Sequence, residues 1–129
     1  MNKFFLLFLP FIVKAAFVTL PFDFSLKKDE FAKMYIYYDG DKYDLKLRWT
    51  LYKNKVLIVL YKYDGFPYQI TLFKEYPIDT FRIKIADYPD FKPYLYIKVK
   101  EFSDKITSFR MFLNKTYEKK VKIDFYKGK

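Results

Sequence analysis

Apolar residues recur at every second position over most of this chain, and that period fixes what it can fold into. Across residues 43–51, Tyr43, Leu45, Leu47, Trp49 and Leu51 fall on one side, with Asp44, Lys46, Arg48 and Thr50 on the other. Successive side chains of a β-strand point to opposite faces, so such a run has one buried and one wet side. Phe81, Ile83 and Ile85 alternate with Arg82 and Lys84 in the same way. So do Leu95, Ile97 and Val99 with Tyr96, Lys98 and Lys100, and Val121, Ile123 and Phe125 with Lys122 and Asp124. Residues 56–60, Val-Leu-Ile-Val-Leu, are apolar on both faces and are expected to be covered on both sides.

Turn signals separate these runs. Asp39-Gly40 and Asp64-Gly65 supply residues that tolerate positive φ in tight hairpins. The pattern predicts nine strands, at 17–26, 31–38, 43–52, 55–63, 68–75, 80–86, 94–102, 106–113 and 117–126. Pro21 cannot donate to a ladder, which places the first strand at a sheet edge. The one candidate for a helical turn is 27–32, and the charges at 27–33 suit a loop equally well. The expected fold is all-β, a single antiparallel meander of about nine strands forming a β-sandwich. A closed small β-barrel is the alternative, since either arrangement disposes of the uncovered face and sticky edges of a flat sheet. An outer-membrane barrel fits poorly, because lysines line nearly every polar face and would crowd a narrow lumen.

The N-terminus reads as an address. A basic start, Met1-Asn2-Lys3, precedes an apolar run from Phe4 to Val13, and Val13-Lys14-Ala15 sets small residues at the positions a signal peptidase reads. The expected division is a signal peptide at 1–15 and an all-β domain at 16–129, exported to the periplasm or the extracellular space. The alternative is an uncleaved membrane anchor, the only route to membrane contact in this reading. It would hold Lys14 near mid-span at a cost of about 2.5–3.5 kcal/mol. The chain has no cysteine, so an exported domain of this size would hold by packing rather than by disulfides.

Charge and residue inventory narrow the chemistry. Lysine and arginine number 25 against 15 acidic residues, net +10; without Lys3 and Lys14 the balance is 23 to 15, or +8. Such a surplus favours anionic partners. Histidine is absent, which removes the commonest general base and metal ligand, and three glycines make no phosphate loop. Ser25, Ser103 and Ser108 have no identifiable base beside them. Asp39-Gly40-Asp41-Lys42-Tyr43-Asp44 spaces oxygen ligands as a calcium loop would but lacks the closing glutamate. The expectation is therefore a non-catalytic protein with no metal site and no cofactor.

Tyr94, Tyr96, Lys98 and Lys100 share one side of their strand. Aromatics interleaved with cations on a sheet are the chemistry of polymer-binding platforms, by stacking and anion attraction. Tyr88 and Phe91 lie in the proline-stiffened stretch 86–93 and are the second candidates. The expected function is binding or scaffolding at the cell envelope, with an anionic polymer or an envelope protein as partner. Export disfavours nucleic acid. The alternatives are a small barrel that carries an apolar ligand and a subunit of a larger surface assembly.

Overall fold

The computed structural model describes residues 16–53, 55–75, 78–86, 93–114 and 120–129. The expected export segment, 1–15, lies outside them. The described residues form ten strands: β1 (Ala16–Phe17), β2 (Phe22–Lys27), β3 (Phe31–Tyr38), β4 (Asp41–Lys53), β5 (Val56–Tyr63), β6 (Phe66–Phe73), β7 (Thr80–Lys84), β8 (Tyr94–Phe102), β9 (Ile106–Leu113) and β10 (Val121–Gly128).

They make two sheets, one of six strands ordered β1-β10-β3-β4-β5-β6 and one of four ordered β2-β9-β8-β7. Every pairing is antiparallel. Consecutive hairpins run from β3 to β6 in one sheet and from β7 to β9 in the other. The chain ends supply the non-sequential pairs, β10 beside β3 and β2 beside β9. The fold is a β-sandwich. Each sheet begins and ends on a different strand, so neither closes into a barrel.

The period-two residues build the space between the sheets. Met34, Ile36, Leu45, Leu47, Trp49, Leu57, Val59 and Ile123 from the larger sheet are buried there with Leu26, Leu95, Ile97, Phe109 and Met111 from the smaller one. Trp49 also bonds across the layers: its indole Nε1–H donates to the Leu26 carbonyl on β2 at 2.8 Å. A buried indole needs such a partner, and this one is strong because both groups are dry.

Turn chemistry follows the sequence closely. Asp39 and Gly40 at φ 53° and 81° close the β3–β4 hairpin, and Asp64 and Gly65 at 50° and 93° close β5–β6. Paired positive φ values belong to the tight turn whose twist matches the strands. The calcium-like spacing at 39–44 is thus a hairpin and the strand that follows it. Among the described residues no group of three or more acidic, histidine or cysteine side chains could hold a metal.

Two expectations change, and the choice left open at 27–32 is decided for the loop. The strand expected at 17–26 is two strands in different sheets, separated around Pro21, and both lie at edges. Residues 27–32 form no helical turn. The Glu30 amide donates to the Lys27 carbonyl, and its carboxylate accepts the Lys27 amide at 2.7 Å, closing a reverse turn between β2 and β3. That bond holds the Glu30 pKa below its ordinary value. Finally, β5 is covered on one face alone. Ile58 stands between Thr50 and Thr71, and Leu60 between Arg48 and Gln69, so flanking side chains half-cover the outer face without a third layer.

Truncation of Trp49 to alanine is expected to destabilise the fold by about 3–5 kcal/mol in urea unfolding, the range for a large buried aromatic. Trp49→Phe, which keeps most of the apolar area but loses the N–H, is expected to cost less. Thr107 works in the opposite direction. It is fully buried and its Oγ1 has no hydrogen-bond partner among the described residues. An unpaired buried hydroxyl costs about 1–3 kcal/mol, so Thr107→Val, of nearly equal shape, is expected to raise stability by about 1 kcal/mol in the same measurement.

Candidate functional site

The outer face of the four-stranded sheet collects the residues singled out on β8 and adds others the linear sequence does not connect. Strand register sets Tyr94 opposite Lys84, and Tyr96 between Arg82 on β7 and Phe112 on β9. Lys98 stands between Thr80 and Arg110. The rings form a strip. Tyr96 and Phe112 stack with centroids 5.3 Å apart and planes within 10°, and Tyr94 lies 6.3 Å from Tyr96, tilted by 52°. The Arg82 guanidinium covers the Tyr94 ring at 4.2 Å.

Acidic groups engage the far end of the strip. Asp23 on β2 accepts from Arg110 Nε at 2.7 Å and Nη2 at 3.0 Å, a bidentate clamp, and from Lys100 Nζ at 3.3 Å. Lys98 reaches Asp79 at 4.0 Å. A β-bulge follows on β8: the register steps from Val99 opposite Phe109 to Glu101 opposite Ser108, and the extra residue, Lys100, resets the phase so that Phe102 packs on the core. On this face Arg82, Lys84, Lys98, Lys100 and Arg110 stand with Asp23 and Asp79. On β7 the Arg82 guanidinium lies face-on to the Tyr94 ring.

Of the six residues proposed from sequence, Tyr94, Tyr96, Lys98 and Lys100 lie together on this face. Tyr88 and Phe91 lie outside the described residues. Sequence reasoning missed Arg82, Phe112 and Arg110. Alternation put Arg82 on the polar side of its own strand, but the adjacency of all three to β8 depends on strand order and register. The serines lie elsewhere or serve structure: Ser25 and Ser108 hydroxyls pair at 3.0 Å, and Ser103 Oγ accepts the amides of Lys105 and Ile106 in the β8–β9 turn.

The six-stranded sheet presents a second aromatic and basic face in a different arrangement. There ammonium groups sit over the rings, Lys42 and Lys33 over Tyr35 at 4.2 and 5.2 Å and Lys46 over Phe31 at 4.2 Å. On that face Tyr35 and Phe31 lie under lysines, whereas Tyr96 and Phe112 lie one ring against the other as an offset stack.

At the open side of the sandwich, between β6 and the end of β8, a cleft of about 420 Å³ is lined by Leu72, Phe73, Ile78, Val99 and Phe102 with Lys74 and Glu101 at its rim. A second hollow of about 530 Å³ lies over Tyr43, Tyr63 and Phe66. The Tyr63 hydroxyl donates to the Ile85 carbonyl at 2.7 Å, and burial pushes its pKa up, so it stays a neutral donor. Among the described residues no helix is long and apolar enough to cross a membrane. Comparison with protein-family models, with curated proteins and with solved structures finds no match.

The Asp23 clamp gives a pH test. The hydrogen bond from Arg110 is the largest cause, with Lys100 adding to it, and together they hold the carboxyl at about 2, below its ordinary 3.8. A lowered folded-state pKa stabilises the fold above the unfolded value and loses that effect as pH falls toward the folded one. Asp23→Asn is therefore expected to flatten the acid limb of the stability curve between about pH 4 and pH 2. It should leave the slope above pH 5 unchanged, as read by thermal melts across pH.

Proposed function

We propose that the domain is an exported, non-catalytic binding module of the cell envelope, and that the four-stranded sheet grips an anionic sugar polymer. The observation that carries this reading is the Arg82–Tyr94–Tyr96–Phe112 strip. The stacked Tyr96–Phe112 pair offers apolar ring surface to the apolar face of a sugar. The guanidinium over Tyr94, with donors at its edge, suits a carboxylate, sulfate or phosphate carried by the same polymer. The overall positive charge adds long-range attraction. Export, inferred from residues 1–15, supports polysaccharide over nucleic acid.

Binding is expected to weaken with salt, because exposed charge pairs are screened over about 10 Å at 0.1 M. Arg82→Glu should weaken binding to heparin and alginate with little change in melting temperature, since the side chain lies on an outer face. Asp23→Asn should tighten it by releasing Arg110 and Lys100. Neutral dextran is the control. Titration calorimetry at two salt concentrations reads all three, and equal affinity of wild type and Arg82→Glu would contradict the assignment. The runner-up, a carrier of apolar ligand, would use the cleft beside Leu72, Ile78 and Phe102 rather than a barrel lumen. Its mark is a fatty-acid-dependent rise in melting temperature that ignores both salt and Arg82→Glu.

A further inference from the structure

The sandwich has four sheet edges, and three of them are defended. β1 is two residues long; β2 carries Asp23 and Lys27; β7 has five residues and carries Arg82 and Lys84. Short length and charge are the usual means by which an edge avoids pairing with another chain. The fourth edge, β6, is different. Its eight residues, Phe-Pro-Tyr-Gln-Ile-Thr-Leu-Phe, contain no charge in a chain that is 31% charged. Among the described residues nothing pairs with its outer side.

Large side chains on this edge are exposed as well. Phe66 and Tyr68 are 67% and 49% exposed, Tyr68 with one ring face stacked on Tyr61. The six-stranded sheet has two strands more than the four-stranded one, and β6 is its last.

We infer that β6 is a self-association edge, on which a second copy of this chain pairs antiparallel about a two-fold axis near Ile70, joining two six-stranded sheets into one. The choice of a second copy follows from charge. An anionic partner would find nothing on β6 to meet. Two copies with a surplus of positive charge can approach closely only where both surfaces are neutral, and an isologous contact brings β6 to β6.

Hydrogen-bond geometry agrees. The two-residue Asp64-Gly65 turn makes Tyr63 and Phe66 a bonded pair, so residues 66, 68, 70 and 72 bond back to β5. Residues 67, 69 and 71 then turn their main-chain groups to the open edge. Pro67 lacks an N–H and defends only the hairpin end. Gln69 and Thr71 each present a donor and an acceptor. With the axis at Ile70, Gln69 of one copy faces Thr71 of the other, and the pairing repeats by symmetry. The inference is independent of the polymer-binding reading.

Sedimentation equilibrium of the mature chain across a concentration series is the test, read with hydrogen exchange at the Gln69 and Thr71 amides. The expected result is a reversible dimer whose formation slows exchange at those two amides. The variant with Gln69→Lys and Thr71→Lys, both exposed outward positions, should be monomeric with an unchanged circular dichroism spectrum. A wild type that stays monomeric at every soluble concentration would overturn the inference. So would a dimer that persists in the double variant, or one that leaves the two amides exchanging as in the monomer. If the double variant does not fold, the wild-type exchange comparison decides alone.

Discussion

The tie between Trp49 and Leu26 is the contact on which the two-layer arrangement turns. Trp49 sits mid-sheet on β4, and Leu26 belongs to an edge strand of the opposite sheet. Hydrophobic burial presses the sheets together but is non-directional. One hydrogen bond between an indole and a main-chain carbonyl adds direction: it fixes the ring's orientation and where β2 lies along β4. Phe24, stacked on Phe109 at 5.2 Å and tilted against Phe125 at 4.9 Å, extends the lock toward the end where β1 and β2 part.

With the inner faces committed to packing, the chemistry that remains lies outside. The two outer faces have similar residue inventories but differ in use. On the larger sheet lysines lie over Tyr35 and Phe31. On the smaller sheet Asp23 and Asp79 draw Arg110, Lys100 and Lys98 to one end, and Arg82 lies over Tyr94 beside the stacked Tyr96–Phe112 pair. The Arg110–Asp23 clamp is exposed, so it contributes little stability and acts chiefly to distribute charge across the face.

Much of the fold was legible because a half-buried strand writes its own face pattern. Alternation at 43–51, 94–100 and 121–125 located β4, β8 and β10, and the two Asp-Gly pairs located their hairpins. What local pattern cannot encode is pairing at long range. Nothing near Phe22 says that it will face Met111 on β9, nor anything near Val121 that it will face Tyr38. The same limit hid Arg82 and Phe112 from the candidate site. The bulge at Lys100 was hidden for another reason: one extra residue shifts the phase, and no residue type in 99–101 marks where it falls. Residues 27–32 stayed open between helical turn and loop because a charged segment containing a glutamate serves a reverse turn as well as a helix start. Residues 56–60 misled because apolar side chains on an outer face can be half-covered by threonine, arginine and glutamine neighbours.

Hydrogen exchange of the Trp49 indole Nε1–H tests the two-layer lock most directly. If the bond to Leu26 holds the sheets in register, this proton should exchange no faster than the core amides of Leu47 and Met111, all three released together by global unfolding. Exchange of the indole proton at the rate of a solvent-exposed tryptophan, while those amides remain protected, would contradict the account.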